Sequence, residues 1–358
     1  MDTNTKIIQI KKKNWYADYL IQWKPLQMCN YDCSYCDPRN HELIDVNRMP
    51  LVDKLVSVSD KIRRSIPFDK TVAINITGGE PFLIEDVHLW LENMMHNVFN
   101  VSIFSNGSMP IKIYKPSLPA LKKIRIFLSF HPEFVDEERF ADLATMLHEN
   151  GGPFGIRGMM VPTLFDKTER MSERLTKIGI EFIKVRTYAL VNRDTLKINP
   201  PYSSSRYLSN YRQHGDMNIG YFSEEEITKL KAISQAQSNV EEKQFTRLDC
   251  DILENEVIKN INTSGFSIMA GNLNRFKGWK CGLRMKKIVI NPDGQTTHGL
   301  CTNELPLGNI FEEDFIIYDD KYTDCKQNYC MSIDEIMIDK YDPELVGHVA
   351  QQDRAQVS

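Results

Sequence analysis

Six short β-rich runs recur through the first half of the chain, separated by stretches with helical periodicity. The runs are nearly continuous in apolar residues, as expected for strands buried on both faces of a parallel sheet. The intervening stretches place apolar residues near the 3.6-residue helical period, as Leu55, Val58 and Ile62 do. Alternation at about 25–30 residues predicts βαβ units in an α/β fold, with the sheet curved or closed into a barrel. The runs are YADYLIQW (16–23), TVAINIT (71–77), NVSIFS (100–105), IRIFLSF (124–130), FGIRGMMV (154–161) and IEFIKVR (180–186).

Composition and charge describe an ordinary soluble globular protein. Of the 358 residues, 42% are hydrophobic and 26% are charged, and the formal net charge is −4. That charge argues against a dedicated nucleic-acid binder without excluding one. No apolar run approaches the ~20 residues that cross a bilayer, and the amino-terminal stretch lacks the apolar core of a signal peptide. We therefore expect a cytoplasmic protein with no membrane partner, whose eight cysteines are reduced thiols.

The stretch QMCNYDCSYCDP (27–38) follows the first run and holds Cys29, Cys33 and Cys36, with no fourth cysteine nearby. Structural zinc usually takes four ligands, and the only histidine close by is His41. An iron–sulfur cubane also normally takes four thiolates, so three would leave one iron open to a ligand from outside the chain. The spacing favours a cluster over zinc but leaves both open.

Polar and glycine-rich segments follow the carboxyl ends of consecutive runs, where parallel sheets bind their ligands. The second run ends in TGGEPF (77–82), the third in SNGS (105–108) and the fourth in SFHPE (129–133), while the last two carry Arg157 and Arg186. Taken singly, each has an ordinary explanation, such as a tight turn, a surface histidine or a structural ion pair. Because consecutive strands deliver all of them to one rim, we predict a ligand site there.

The spacing CxxxCxxC after the first strand and GGEP after the second resemble the motifs of radical S-adenosylmethionine (SAM) enzymes. Tyr35, just before the last cysteine of the loop, is the aromatic residue usual in that family. The resemblance covers about residues 16–190 and implies a partial (β/α)6 TIM-like barrel. It also implies a 4Fe-4S cluster on Cys29, Cys33 and Cys36, with SAM on the open iron. Reductive cleavage of SAM would then give a 5′-deoxyadenosyl radical that abstracts a hydrogen atom from substrate.

The same resemblance implies how the glycine segment would bind SAM. Gly78 and Gly79 would let the backbone approach the methionyl amine closely, which a side chain would prevent. Glu80 would supply a negative partner for that ammonium group.

Polar residues of the later strands would complete the SAM site. Ser105 and Asn106, with Ser129 as a weaker candidate, would contact the ribose hydroxyls. Arg157 or Arg186 would pair with the SAM carboxylate, which suits a guanidinium fork, and we prefer Arg157.

Four cysteines in the last third form a second group: Cys281, Cys301, Cys325 and Cys330. The sequence NPDG (291–294) between two short β-like runs predicts a hairpin inside this group. Four thiolates complete a cubane with no open iron, and a zinc-stapled hairpin is the alternative. Beside the first motif, the group resembles the auxiliary-cluster domain of many radical SAM enzymes, in its short twitch form or a reduced SPASM form. It thus implies a second 4Fe-4S cluster.

These features divide the chain into a radical SAM core barrel (1–190), a connecting and substrate-covering segment (191–260), a twitch- or SPASM-like auxiliary domain (261–335) and a polar tail (336–358). The connecting segment begins as a long stretch without convincing periodicity, and such loops inside compact domains are usually functional or disordered. A capping box from Ser223 to Glu226 predicts a helix after it. Because the barrel begins near residue 16, we expect no leader-binding domain upstream, which disfavours a leader-dependent peptide maturase.

Cys250 is the cysteine left outside both groups. A lone cysteine is often only a small buried hydrophobe. Its catalytic alternative is a thiol that returns a hydrogen atom to the substrate radical, as in radical SAM epimerases with a similar layout. If Cys250 is inert, the auxiliary cluster could accept the electron of the substrate radical, giving a dehydrogenase or a peptide maturase.

The resemblance indicates the class of substrate and the class of partner, and nothing more specific. We expect an enzyme acting on a small-molecule or peptide substrate, with flavodoxin or ferredoxin as its reducing partner. GGEPFL and SNGS are also similar to motifs of the viperin nucleotide dehydratases, from which the second cysteine group departs. A non-catalytic iron–sulfur and SAM-binding sensor is the alternative of a different class, and the complete rim of strand ends favours catalysis over it.

Overall fold

The computed structural model describes most of the barrel region and parts of the last third of the chain. The described residues are 6–11, 17–33, 35–36, 49–97, 99–186, 223–226, 228–229, 232–233, 247–254, 257–265, 268, 273–299, 307–312, 322–328, 330 and 333–346. Within them, no helix is both long enough and apolar enough to cross a membrane.

The strands fall into two sheets, one of nine strands and one of six. The strands are Lys6–Lys11 (β1), Tyr19–Trp23 (β2), Val72–Ile76 (β3), Asn100–Ser105 (β4), Arg125–Phe130 (β5), Phe154–Met160 (β6), Phe182–Arg186 (β7), Arg247–Glu254 (β8), Val257–Ser264 (β9), Lys280–Cys281 (β10), Lys287–Ile290 (β11), Gln295–Thr297 (β12), Gly308–Asn309 (β13), Thr323–Asp324 (β14) and Lys340–Tyr341 (β15).

The helices lie mainly between the strands of the larger sheet. They are Val52–Ser65 (α1), Val87–His96 (α2), Ile111–Tyr114 (α3), Leu118–Leu121 (α4), Glu137–Glu149 (α5), Phe165–Thr176 (α6), Leu283–Lys286 (α7) and Ile333–Ile336 (α8), with 3-10 turns at Pro81–Leu83 and Lys115–Ser117.

β2 to β7 pair in parallel and in chain order, and each of the six predicted runs contains one of them. The predicted α/β fold with a partial (β/α)6 barrel is confirmed. Within the described residues β7 pairs with β6 alone, so the barrel stays open on that side. Parallel order brings the carboxyl ends of β2 to β7 to one rim, and the segments expected to bind SAM follow those ends.

One face of the parallel sheet packs against the helices. Ile74, Ile103 and Leu128 occupy this face in successive strands, and all three are fully buried. They share a core cluster with apolar residues of α1 and α2, including Trp90 and Leu55, the latter assigned to a buried face by the helical period. The indole of Trp90 donates a hydrogen bond to Ser59 Oγ, 2.9 Å away, which satisfies its buried N–H.

The predicted hairpin around NPDG is present, and it belongs to the barrel sheet. β11 runs parallel to β2 and β12 returns antiparallel to β11. Gly294 takes φ +82° at the turn between them, a conformation that glycine adopts without strain. The hairpin was expected within an auxiliary domain, yet it extends the barrel sheet beyond β2.

The predicted capping box is confirmed. The Ser223 amide donates to the Glu226 carboxylate at 2.8 Å, and the Glu226 amide donates to the Ser223 hydroxyl at 3.2 Å. The same carboxylate accepts from the Thr163 amide at 2.7 Å, so this turn contacts the segment that follows β6.

The six-stranded sheet combines segments from distant parts of the chain, in the order β14-β10-β15-β1-β8-β9. β1, which precedes the barrel, pairs with β8 on one side and β15 on the other, both antiparallel. β8 and β9 form one hairpin that crosses the predicted boundary at residue 260. The predicted polar tail begins with three apolar residues that are buried. They are Ile336, Met337 and Ile338, which pack against this sheet.

A buried ion pair joins β11 of the barrel sheet to the helix α8. Lys287 of β11 and Glu335 of α8 are 0% and 2% exposed in their side chains, and their charged atoms lie 3.2 Å apart. Burying either charge alone would cost several kcal/mol, so each depends on the other.

Removing one member of this pair should therefore cost more than removing both. We expect Lys287→Met or Glu335→Gln alone to lower the free energy of unfolding by about 3–5 kcal/mol, because an uncompensated charge stays buried. The double variant Lys287→Met/Glu335→Leu should recover most of that loss in urea denaturation. Additive losses would show that the two charges do not depend on each other.

Candidate active site

The cysteine loop begins at the carboxyl end of β2. The Cys29 sulfur accepts from two N–H groups at 3.5 Å, the Tyr31 amide and the Asn106 side chain. The Cys36 amide donates to the Cys33 carbonyl at 2.9 Å, closing a turn between the last two cysteines. Hydrogen bonds to ligand sulfurs are among the features that tune iron–sulfur clusters, so the donors around Cys29 suit a cluster ligand.

Gly78 and Gly79 lie directly against the chain that enters the cysteine loop. The Gly79 amide donates to the Leu26 carbonyl at 3.0 Å, and the Glu80 amide donates to the Met28 carbonyl at 2.9 Å. A Cβ atom on Gly79 would lie 1.7 Å from the Met28 carbonyl oxygen, and Gly78 has φ +119°. The glycines thus permit a close backbone approach to residues 26–28. Their expected approach to the SAM amine stays a prediction.

Glu80 connects the glycine segment to the end of β4. Its carboxylate is buried and accepts three hydrogen bonds, from the Phe82 amide at 3.0 Å, the Ser105 hydroxyl at 2.9 Å and the Asn106 amide at 2.7 Å. Burial nevertheless raises the pKa of Glu80 to about 7, and these hydrogen bonds offset only part of that effect. The carboxylate thus accepts hydrogen bonds from the protein itself, and its contact with the SAM ammonium remains a prediction.

The SNGS segment holds the first cysteine from the other side. The Asn106 side chain donates to Asn30 Oδ1 at 3.1 Å, and the Ser108 hydroxyl donates to the same oxygen at 2.9 Å. Ser105 is 2% exposed, and its hydroxyl lies 3.0 Å from the Tyr114 hydroxyl. Asn106 and Ser108 therefore contact the cysteine loop directly, and the expected contacts of Ser105 and Asn106 with ribose stay predictions.

His131, at the end of β5, touches the cysteine loop. Its Nδ1 lies 2.6 Å from the Tyr35 hydroxyl and 3.4 Å from the Cys33 sulfur, and the Tyr35 and His131 rings stack. Burial lowers the pKa of His131 to about 4, so the ring is neutral at physiological pH. The sequence placed His131 on the rim but gave it no role. The sequence signal for this contact is the position of His131 immediately after β5, which places it on the same rim as the cysteine loop.

Arg157 lies on the half-buried face of the barrel, next to Ser129 in register. Its guanidinium lies 4.7 Å from the ring centroid of Phe127 and 5.1 Å from that of Phe104, and the two rings stack on each other. Stacking on aromatic faces restrains a guanidinium in one orientation. Arg186 ends β7 opposite Met160.

Burial opposes the thiolate form of Cys29 and Cys33. Burial raises the pKa of Cys29 to about 11 and raises that of Cys33 further. Among the described residues, no three His, Cys, Asp or Glu side chains converge on a point that could hold a single metal ion. Each cysteine of a cubane binds a different iron, so the thiols of a cluster site need not converge on one point.

The second cysteine group lies at the six-stranded sheet. Cys281 is in β10, and the Cys325 amide donates to the Trp279 carbonyl, just before β10, at 2.8 Å. Cys281 and Cys325 both act electrostatically on the thiol of Cys330, whose pKa burial raises to about 12. Three of the four predicted ligands thus lie in or beside the six-stranded sheet, and Cys301 lies outside the described residues.

Cys250 occupies the core of the six-stranded sheet. It is 0% exposed and shares a hydrophobic cluster with Ile10, Ile252 and Cys330. Burial raises its pKa to about 12. This environment is that of a packed core residue, and the predicted role of Cys250 as a hydrogen donor is untested.

Comparison with known protein families assigns the barrel. A family model described as the Radical SAM superfamily matches residues 23–197. These residues belong to the radical SAM superfamily. The match runs from the last residue of β2 through the cysteine loop and the glycine segment to beyond β7. For this radical SAM domain, the family implies a 4Fe-4S cluster and SAM.

One curated relative is similar over a short stretch. A SAM-dependent nucleotide dehydratase from Fibrobacter sp. (strain UWH6) is 33% identical over 92 residues, which is 25% of this chain. The match covers 27% of that relative's length.

Several solved structures are similar at low identity. SuiB from Streptococcus suis bound to S-adenosylmethionine is 18% identical with a TM-score of 0.49, and the match covers 85% of this chain and 66% of SuiB. The enzyme anSMEcpe with bound AdoMet is 14% identical with a TM-score of 0.49, over 84% of this chain and 79% of that one. Likeness at these scores indicates neither a substrate nor a reaction.

The close approach at Gly79 gives a first test of this site. Gly79→Ala should displace residues 26–28 and reduce the iron bound by the cysteine loop, because the new Cβ would overlap the Met28 carbonyl. Gly151→Ala is the matched control: Gly151 has φ +72° and no atom within 4 Å of an added Cβ, so it should cost only about 1 kcal/mol. Iron content after anaerobic reconstitution, with circular dichroism for folding, measures the difference. Equal iron in the two variants would contradict it.

Glu80 gives a pH-dependent test. The native carboxyl titrates near 7 and the unfolded one near 4.5, so the native state binds more protons between these values. Stability should therefore fall as pH rises through that window, by about 3 kcal/mol in total. A glutamine at this position cannot titrate. In urea unfolding of the metal-free proteins at pH 5 and pH 7.5, the parent protein should therefore lose stability and the Glu80→Gln variant should not. Parallel pH profiles for the two proteins would exclude the raised pKa.

Proposed function

We propose that the chain is a radical SAM enzyme that abstracts a hydrogen atom from a small-molecule or peptide substrate. The observation that carries this proposal is the connection between three strand ends. The glycine segment after β3 bonds to the chain just before Cys29, the SNGS segment after β4 contacts the Cys29 sulfur, and the two segments are joined through Glu80. A loop fixed in this way by its neighbours can present three thiolates to a cluster without large rearrangement.

When bound, the cluster and SAM supply a one-electron cleavage that generates the 5′-deoxyadenosyl radical. The chain's own residues would bind and orient SAM and shield the radical. Cys29, Cys33 and Cys36 would hold three irons, and the backbone at Gly78 and Gly79 would face the methionyl amine. An external electron donor such as flavodoxin or ferredoxin would be the reducing partner.

The remaining contacts to SAM are assigned by position on the rim. Ser105, Asn106 and Ser129 would lie near the ribose. Arg157 would pair with the carboxylate, supported by the aromatic pair that restrains its guanidinium. Arg186 is the second candidate for that carboxylate.

The net reaction depends on the second cysteine group. We propose that Cys281, Cys301, Cys325 and Cys330 bind an auxiliary 4Fe-4S cluster. The burial of Cys250 in the core of the six-stranded sheet favours packing over hydrogen donation. An auxiliary cluster that accepts the substrate's electron then supports a dehydrogenation or peptide maturation more directly than an epimerisation.

Nucleotides are a further substrate class. The support is the 92-residue similarity to a nucleotide dehydratase, which covers only a quarter of the chain. A panel of nucleotides and candidate peptides, scored by substrate-dependent 5′-deoxyadenosine release, would separate these classes.

Replacing Cys29, Cys33 and Cys36 together with Ala tests the proposal. Iron should fall from about eight to about four per chain, and reductive SAM cleavage should be lost, because only this loop leaves an iron open to SAM. The control Cys281→Ala/Cys330→Ala should lose a similar amount of iron and still release 5′-deoxyadenosine. Cleavage of SAM by the triple variant would refute the proposed function.

A further inference from the structure

The imidazole of His131 lies between two aromatic residues of the cysteine loop. The Tyr35 ring stacks on it, with ring centroids 5.8 Å apart and an angle of 10° between the planes. The Tyr31 ring is nearly perpendicular to it, with the centroids 6.2 Å apart. The His131 carbonyl accepts from the Val135 amide at 3.0 Å, so the backbone turns directly after β5. The ring is therefore held in place beside the loop that carries Cys33.

Three polar atoms meet next to this stack: the Cys33 sulfur, the Tyr35 hydroxyl and Nδ1 of His131. Nδ1 lies 2.6 Å from the hydroxyl and 3.4 Å from the sulfur. The hydroxyl also reaches the sulfur: burial raises the pKa of Cys33, and a hydrogen bond with Tyr35 opposes that rise. Cys33 is 4% exposed, so protein groups must replace water around its sulfur.

The protons of the hydroxyl and the imidazole can be arranged in two ways. In the first, the Tyr35 hydroxyl donates to Nδ1 and the imidazole proton lies on Nε2, so the sulfur faces a nitrogen lone pair. In the second, the imidazole proton lies on Nδ1, and both Nδ1–H and the hydroxyl can donate toward the sulfur. A thiol is compatible with either arrangement because it is neutral and has a proton of its own. A thiolate only accepts, so it selects the second arrangement.

The hydrogen-bond donors around the loop suit thiolate ligands. The Cys29 sulfur accepts from the Tyr31 amide and the Asn106 side chain. The Cys33 sulfur has a hydroxyl and a ring nitrogen beside it. Hydrogen bonds to the sulfurs are among the features that set the reduction potential of an iron–sulfur cluster. Donors are thus placed where negative charge would increase when the thiols become cluster ligands.

We propose that Tyr35 and His131 form a hydrogen-bonded pair that donates to the Cys33 sulfur and raises the reduction potential of the cluster on the loop. This inference rests on the proposed function, in which Cys29, Cys33 and Cys36 bind that cluster. Reduction adds one electron from the external donor and makes the cluster and its thiolates more negative. Donors at a ligand sulfur stabilise the added charge and so favour the reduced state. Both residues act through the sulfur, as positioning and tuning residues.

The test uses the full-length chain with Cys281→Ala and Cys330→Ala, so that the loop is the only proposed cluster site with all its ligands. His131→Phe keeps a ring for Tyr35 to stack on and removes the nitrogen. In a redox titration followed by electron paramagnetic resonance, the ratio of reduced to oxidised cluster at a fixed potential should fall about tenfold, which is 59 mV for one electron. Tyr35→Phe keeps the stack and removes the hydroxyl, and it should lower the ratio too.

Two further variants separate the hydrogen bond from packing. His131→Asn can place an amide N–H near the position of Nδ1–H, so the ratio should return towards that of the parent. His148→Phe is the matched control, because His148 is exposed near the end of α5, the helix that leads away from the rim after β5. It should leave the ratio unchanged. Iron content and circular dichroism check each variant, and Tyr35→Phe decides alone if His131→Phe holds no cluster.

The outcomes separate this inference from the proposed function. If neither the double-cysteine variant nor the unsubstituted chain binds iron after reconstitution, the cluster on the loop is wrong and both proposals fall. If a cluster is bound but the ratio is the same in His131→Phe, Tyr35→Phe and the parent, only the role of the pair is overturned. A fall that His131→Asn does not reverse assigns the effect to packing and also overturns it. A fall in both phenylalanine variants that His131→Asn reverses supports the inference.

Discussion

The rim of the barrel depends on the buried carboxylate of Glu80. Its oxygens accept from the turn that follows it and from the first residues after β4, so two strand ends are fixed by one side chain. Asn106, held in this way, reaches the Cys29 sulfur. A carboxylate at 1% exposure is costly, and several donors must surround it to offset the loss of water. The geometry of the cysteine loop is thus set by residues that do not belong to it.

The barrel could be predicted from the sequence because every local signal agreed with the global fold. Continuous apolar runs, helical periods and polar strand ends each specified the same βαβ arrangement. The tight contact of the glycine segment with Leu26 and Met28 could not be predicted, because it is a backbone contact that no side-chain pattern reveals. The contact of His131 with Tyr35 and Cys33 also joins residues almost a hundred positions apart.

The second sheet was harder to predict because its strands are short and scattered. β10, β14 and β15 have two residues each, too few for an alternating pattern to be visible. Lys340 stands in a stretch rich in charged residues, which is typical of a solvated surface, yet the structure buries it. Pairing with strands from both sides of the barrel decides that burial, and such pairing leaves no local trace in the sequence.

The central place of β1 has a consequence for how the chain folds during synthesis. Lys11 and its partner Asp251 are 240 positions apart, with β2 to β7 between them. At ribosomal rates of about 5–20 residues per second, β1 waits on the order of ten to fifty seconds for β8. Throughout that time its two edges are open to any other strand, a state prone to intermolecular pairing. Lys6 and Lys11 at the ends of this strand supply charges of the kind that discourage such pairing.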